Sequence, residues 1–537
     1  MSKFSMLIRN IKEKIFGKEH EQPSTEAEPS KPEEVGESFP YGPERKPDVP
    51  VKQSKPKGAE EQGSTDTGQQ KIRVTDSPAP PKEAKKPVVK TSPLTTSALK
   101  RQQPYFLQVG FDFGTSFSKC VCRDVMTDKA WVHIPSNFKG QELPFLIPSV
   151  LIFRDRKLKY VQEQGAHYPE GGLYHLKQAL VKVALAQLDD PVLAPYIRAW
   201  ERSDDGHLSN FIESCAVYFL AGALGTVRKQ IRQKMPDFGG HPDDYMAVNL
   251  SVPVADAEKP NINRLFHAIL CEAWSLADSI PGHPSIDLKE LEALRKQNLM
   301  AQEPSVSEAC FIYPEVSANV QGFVRSRVSR PGTYLFSDTG AGTVDQSTFI
   351  FFHKPDNTKY LNFLHGNVLP CGSSHIEFLA AEISGKKDRQ TLEMFREKKE
   401  RGDTDSELVE AKTRVGEQLV RGTTATLAYT RDQLPVRNQF ERIRVIFGGG
   451  GHCEHPYKRS VLEARRSDVL GLPIPEDLDL GKSQSRWMSR LTVAYGLSFI
   501  KKDLIKFYYP RDNEPPEPDD FGPRYREIPD PISKDEC

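Results

Sequence analysis

Apolar and polar positions divide the chain into three regimes. In residues 1–19, Phe4, Leu7, Ile8, Ile11 and Ile15 recur at i, i+3, i+4, i+7 and i+11, and Lys3, Arg9, Lys12, Lys14 and Lys18 lie mostly on other faces. That spacing predicts a basic amphipathic helix. Residues 20–103 are dominated by Pro, Glu, Lys, Ser, Gln and Thr, with Phe39 and Tyr41 as the aromatics before Tyr105. Such a segment buries too little apolar surface to offset its ordering entropy, so a disordered linker is expected. From Tyr105 onward, strand-like runs at 105–113, 119–125, 149–153, 246–254, 333–338, 347–352 and 443–448 alternate with helical stretches such as 208–235 and 259–278. This predicts an α/β fold of sheets flanked by helices. A last helix is expected within 487–510, and the proline- and charge-rich residues 511–537 read as a flexible tail.

Composition narrows the class without changing that layout. Hydrophobic residues make up 37% of the 537 and charged residues 27%; 73 basic side chains balance 73 acidic ones. These are values of a soluble protein, and no nucleic-acid partner is expected from them. The eight cysteines form no Cys-x-x-Cys pair, so a reducing cytoplasm is expected rather than a disulfide framework or a zinc site. The first residues lack an unbroken apolar stretch and a small-residue cleavage site, unlike a signal peptide. No run of about 18 apolar residues predicts a spanning helix. The basic N-terminal helix would lie on an anionic membrane or dock on a partner, which makes the expected location cytoplasmic with peripheral membrane contact; fraying in solution or packing on its own core is the other reading.

Three motifs carry candidate chemistry. In Val109–Lys119 a strand runs to Asp112, a turn of Gly114, Thr115 and Ser116 follows, and a second strand leaves through Lys119. Such a turn makes an anion-binding nest of backbone N–H groups, with hydroxyl donors and an ammonium beside it. Asp112 could hold magnesium through its water shell. Leu335–Asp345 repeats the device with Asp338, Gly340, Ala341, Gly342, Thr343 and Asp345. One such turn has a purely structural explanation; two copies more than 200 residues apart predict a duplicated fold whose hairpins face one polyphosphate. In the third motif the strand Ile443–Phe447 ends in Gly448–Gly451, where missing β-carbons would let an adenine or ribose lie on the backbone. The run His452, Cys453, Glu454 and His455 lacks zinc-site spacing, and no metal is expected there.

This order of motifs resembles the actin, sugar-kinase and heat-shock ATPase superfamily, closest to the DnaK-type (heat shock 70 kDa family) nucleotide-binding domain, over roughly residues 105–505. Asp112–Lys119 resembles its first phosphate motif, Ser337–Asp345 its second and Phe447–Gly451 its adenosine motif. Tyr313–Ala318 and Leu491–Leu497 resemble its two connecting segments, and Ile147–Val150 and Leu250–Pro253 resemble further chaperone-like pieces. The resemblance implies a two-lobed, actin-like fold of duplicated ribonuclease-H-like domains, with lobe I at 104–334, lobe II at 335–486 and the last helix returning to lobe I. ATP and magnesium would bind in the cleft. Asp112, Asp338 and Asp345 would surround the metal and its waters, and Glu315 would orient the attacking water. Thr115, Ser116, Lys119, Gly340, Gly342 and Thr343 would hold phosphates, with Gly114 and Ala341 in the same turns, and Gly448, Gly449 and Gly450 would receive the adenosine. Gly372 and Ser373 are expected at a phosphate, in place of a family loop whose acidic residues are absent. Either Lys177 or Lys119 completes the site; a surface helix lysine is the other reading of Lys177.

Ala341 stands where the family has a glycine, and its β-carbon is expected to make the turn less permissive of positive φ. Helix charges at Glu407, Glu410, Lys412 and Arg414 either clamp the adenosine or form a solvated face. The function implied is a slowly hydrolysing, chaperone-like ATPase switch. A protein client is expected on the core, the N-terminal helix or the linker, since only residues 511–537 follow the core. An actin-like filament and a small-molecule kinase are the alternatives; no acceptor-site base is identifiable for the latter.

Overall fold

The computed structural model describes residues 101–508, apart from 102, 162, 166, 204–205, 253–258, 281–283, 302–303, 327, 357, 435–439, 454 and 481–485. The N-terminal helix, nearly all of the linker and the 511–537 tail anticipated from sequence lie outside the described residues.

The core is mixed α/β. Strands β1 (Phe106–Asp112), β2 (Phe117–Asp124), β3 (Lys129–Val132), β4 (Tyr245–Val252) and β5 (Cys310–Pro314) form the first sheet in the order β5-β4-β1-β2-β3, with Leu478–Asp479 beyond β3. The β1–β4 and β4–β5 pairs are parallel, whereas β1–β2 and β2–β3 are antiparallel. The second sheet contains β6 (Gly332–Thr339), β7 (Val344–His353), β8 (Lys359–Leu369) and β9 (Arg444–Gly449) in the order β9-β6-β7-β8. Here β6–β9 is parallel, and β6–β7 and β7–β8 are antiparallel. Both sheets therefore centre on one arrangement: a hairpin whose first strand also pairs in parallel with a strand from later in the chain. A smaller antiparallel sheet is built from Gly172–Leu173, Leu151–Arg154, Lys157–Tyr160 and Ser285–Asp287.

Strand alternation assigns the layers. Leu107, Val109 and Phe111 of β1 face a core shared with α1 (Leu176–Ala184), α2 (Leu208–Lys234) and α3 (Pro260–Leu276). Gly110, between them, faces the opposite side. On the second sheet, Leu335 of β6 packs with α5 (Ser374–Ile383), α6 (Arg389–Arg401) and α7 (Ser406–Gln433), whereas its neighbours Tyr334 and Phe336 pack against α4 (Glu315–Arg325). Between the sheets, α4 covers the second and α8 (Met488–Leu497) covers the first. The two helices cross at Gly496 and Ala318, and α8 also presses on Gly110 of β1.

The structure bears on two sequence expectations. Helix α2 is long and apolar enough to cross a membrane by length and composition, but 83% of its most apolar window is buried inside the fold; its apolar surface is taken up by core packing. The final helix does return to the first sheet, yet it ends at Leu497. The Asn249 side-chain amide donates to the carbonyls of Leu497 and Phe499, at 2.7 and 2.9 Å, and so takes up buried acceptors at and just beyond the helix C-terminus. The chain then enters the second sheet, where Lys506–Tyr508 pairs with β8.

Candidate functional site

The two hairpins aim their turns into one cleft of about 930 Å³ between the sheets. In each, an acid at the end of the first strand lies directly opposite a charged residue seven positions later: Asp112 opposite Lys119, and Asp338 opposite Asp345. In the first hairpin Lys119 Nζ donates to Asp112 Oδ2 at 2.6 Å. The equivalent position in the second holds an acid, so Asp338 takes its partner from α4 instead. The Asn319 Nδ2 group donates to Asp338 Oδ2 at 2.6 Å.

Helix α5 shapes the second turn. The N–H groups of Ser373, Ser374 and Gly372 donate to the carbonyls of Gly340, Ala341 and Gly342 at 2.9, 2.8 and 3.3 Å. With these carbonyls tied back, the N–H groups of Ala341 and Gly342 have no backbone acceptor among the described residues, and the same holds for Thr115 and Ser116 in the first turn. These are free anion donors. The expected strain at Ala341 does not arise: residues 340–342 have no positive φ, because the ties to α5 set the turn without a left-handed residue. The two turns also meet, since a β-carbon on Gly342 would lie 3.1 Å from Thr115 Oγ1.

Lys177 is buried at the start of α1, and its Nζ donates to the Glu315 carboxylate. Burial works against the ammonium, but Glu315, Asp112 and Asp345 outweigh it and raise its pKa. Glu315 opens α4 immediately after the N-cap Pro314, and Ser251 Oγ donates to its Oε1 at 3.2 Å. The surface-lysine reading of Lys177 is thereby overturned. Burial pushes the Asp338 carboxyl up to about 6, with Asn319 pulling the other way. Asp345 is raised further, by burial and then by Glu315 and Asp338. Its Oδ2 accepts from Thr343 Oγ1 at 3.1 Å, while Oδ1 is buried without a partner.

The third motif lies beside the second turn, with Gly448 and Gly449 paired to Asp338 and Thr339. Gly449 has φ 75°, a left-handed conformation, and a β-carbon there would strike the Thr339 carbonyl. Gly449, Gly450 and Gly451 line the cleft with Arg490 of α8; Gly448 does not, and packs against the Phe336 ring under the strand end. Gly342 and Gly372 also stand behind the cleft surface, Gly372 wedged against the Gly340–Thr343 turn. The remaining expected residues, Gly114, Thr115, Ser116, Lys119, Gly340, Ala341, Thr343 and Ser373 with the four acids and Lys177, all line it. His452 Nδ1 meets the Gly449 carbonyl at 2.8 Å, and Cys453 Sγ lies 3.4 Å from His452 Nε2. Glu454 lies outside the described residues. No group of three or more His, Cys, Asp or Glu placed to ligate a metal directly occurs among the described residues.

The charged helix wall is supplied by α6, not by the stretch singled out in the sequence. Glu410 and Arg414 of α7 pair with each other in solvent, and none of the four α7 charges lines the cleft. Arg396, Lys399 and Glu400 of α6 do. Lys399 Nζ donates to the buried Glu377 carboxylate at 2.5 Å and to the Ser373 carbonyl at 2.6 Å, bracing the segment that ties back the second turn. Sequence reasoning also missed Asn319 and Arg490. Asn319 directly follows the Tyr313–Ala318 segment, a polar residue between Ala318 and Val320, and that mismatch was the available signal; the Phe395–Glu400 run reads as an ordinary solvated face.

No protein-family model matches the chain, and no curated protein matches it in sequence. The chemistry of the donor set fits a divalent cation with a polyanion. Four carboxylates (Asp112, Glu315, Asp338, Asp345) gather with two ammonium groups (Lys119, Lys177) around the two turns. The orphaned Asp345 Oδ1 suits a metal-bound water, and the free turn N–H groups suit phosphate oxygens.

Proposed function

We propose that this chain is an ATP-binding, slowly hydrolysing molecular switch with a two-lobed, actin-like fold, nearest the DnaK-type heat-shock nucleotide-binding domain. The observation that carries the reading is the repeated hairpin: two Asp-Gly-Thr turns on equivalent strands of two similarly ordered sheets, facing one cleft. Bound ATP and magnesium would supply a transferable phosphoryl group and the charge that neutralises it. Thr115, Ser116, Lys119 and the N–H group of Ala341 would bind phosphate oxygens. Asp112, Asp338 and Asp345 would hold the waters of the metal. Glu315, fixed by Lys177 and Ser251, would orient the attacking water and accept its hydrogen bond. The wall formed by Gly449, Gly450 and Arg490 would receive the nucleoside. A protein client sensing the nucleotide state in the cytoplasm completes the proposal.

An actin-like filament is the second reading, favoured by Lys119 beside the first turn, where actins carry a basic residue. Sedimentation and electron microscopy with ATP separate the two; polymers would favour the filament.

The direct test is magnesium-ATP binding and hydrolysis by wild type, Asp338→Ala and Thr343→Ala. Wild type is expected to bind and slowly hydrolyse ATP, and both variants to lose hydrolysis. Unchanged hydrolysis in both variants would overturn the phosphate-site assignment.

A further inference from the structure

The Asp338 carboxylate is the end of a hydrogen-bonded chain of buried side chains that runs to helix α8. Asn319 Nδ2 donates to Asp338 Oδ2 at 2.6 Å, and Thr492 Oγ1 donates to Asn319 Oδ1 at 2.7 Å. Asn319 and Thr492 are each 1% exposed. The chemistry dictates the direction of the chain. A carboxylate only accepts, so the amide must turn its NH₂ toward Asp338 and its oxygen toward a donor. The Thr492 hydroxyl is that donor, and it locks the amide against flipping.

The chain also crosses layers. Asp338 ends β6 of the second sheet, Asn319 lies on α4, and Thr492 lies on α8, which packs on the first sheet through Gly110, Val121 and Ala494. A shift of α8 over α4 therefore pulls on the carboxylate through two hydrogen bonds, with no mobile side chain between.

Resting on the nucleotide reading above, we infer that Asn319 and Thr492 are positioning residues that tie the Asp338 carboxylate to helix α8, so that the grip on a metal–nucleotide complex depends on the placement of the two sheets. Asn319 does not line the cleft, and Thr492, which does, is almost fully buried and commits its hydroxyl to Asn319. Their effect is confined to what Asp338 holds, the water shell of the cation, and does not extend to the phosphate turns.

The test is calorimetric titration of the full chain with ATP, in magnesium and in chelator, for wild type, Thr492→Val, Thr492→Ser and Asn319→Ser. Valine keeps the volume and branching of threonine and removes the donor; serine keeps the donor. Loss of the amide's hydrogen bond to the carboxylate, or of the hydroxyl bond that orients that amide, predicts roughly tenfold weaker magnesium-ATP binding for Asn319→Ser and Thr492→Val, with little change for metal-free ATP. Thr492→Ser is expected to bind like wild type. Equal weakening with and without magnesium would mark a merely structural role and overturn the inference, as would wild-type affinity in Thr492→Val. If Thr492→Val does not fold, Asn319→Ser is read by the same criteria. Absence of magnesium-ATP binding by wild type would overturn the nucleotide reading and this inference with it.

Discussion

Gly496 of α8 and the carbonyl oxygen of Ala318 in α4 meet so closely that a β-carbon on residue 496 would overlap that oxygen. The contact joins the helix on the first sheet to the helix on the second, so it sets how near the two halves of the cleft can come. Gly496→Ala forces the helices apart. The expected loss is about 1–3 kcal/mol of stability, the usual cost of overpacking. Gly471→Ala, where the added carbon meets nothing within 4 Å, is expected to stay within about 0.5 kcal/mol of wild type. Denaturant midpoints of the two variants provide the comparison.

Lys177 and Glu315 form a nearly enclosed pair, with side chains 5% and 12% exposed. Lys177→Met strands the Glu315 carboxylate near Asp112 and Asp345. Breaking a buried pair in this way costs about 3–5 kcal/mol. Adding Glu315→Gln removes the stranded charge and should recover much of the loss. A double-mutant cycle by urea unfolding measures the coupling; strict additivity of the two substitutions would show that the pair does not interact.

Glu377 is fully buried, and although burial opposes its charge, Lys399 and Arg396 hold its carboxyl down to about 2 from an ordinary 4.5. A depressed folded pKa stabilises the protein above the unfolded pKa. That contribution is complete above pH 4.5 and is lost as pH falls through 4.5 toward 2. Glu377→Gln is expected to lose about 3–5 kcal/mol at neutral pH, because Lys399 remains buried, and to show a flatter stability profile between pH 4.5 and 2. A slope unchanged from wild type in that window would rule out this linkage.

His133 and His175 are buried, and burial lowers each imidazole pKa from 6.5 to about 4. Both fold neutral. Their contribution is present above pH 6.5 and is lost as pH falls from 6.5 toward 4, a window mostly above that of Glu377. Each can account for up to roughly 3 kcal/mol. His133→Gln should reduce the loss of thermal stability between pH 7 and 4 relative to its own value at pH 7. An identical pH dependence would count against the assignment.

Local pattern carried the secondary structure far. Apolar runs ending in Asp and followed by Gly and Thr can do little but form strand, turn and strand, and the three motifs reached the cleft they were expected to line. The long helices at 208–235 and 259–278 likewise followed from periodicity alone. The charged helices were harder. Both α6 and α7 carry many charges, and only pairing with the buried Glu377 of α5 places Arg396 and Lys399 at the cleft, while Glu410 and Arg414 stay in solvent.

What the sequence determined by itself is therefore the set of short-range devices: which segments are strands, where the phosphate-type turns fall and which acids stand beside them. The tertiary structure decided the pairings between residues far apart in the chain. Ala341 keeps an ordinary backbone because carbonyls 340–342 are held by residues 372–374. The carbonyl of Leu497 at the end of the last helix is taken up by Asn249, 248 residues earlier. Asp338 faces an amide 19 residues away that is itself locked by a hydroxyl 173 residues further on. Periodicity and turn composition report only what neighbouring residues prefer; hydrogen bonds and charges act through space, and the fold alone brings their partners within reach.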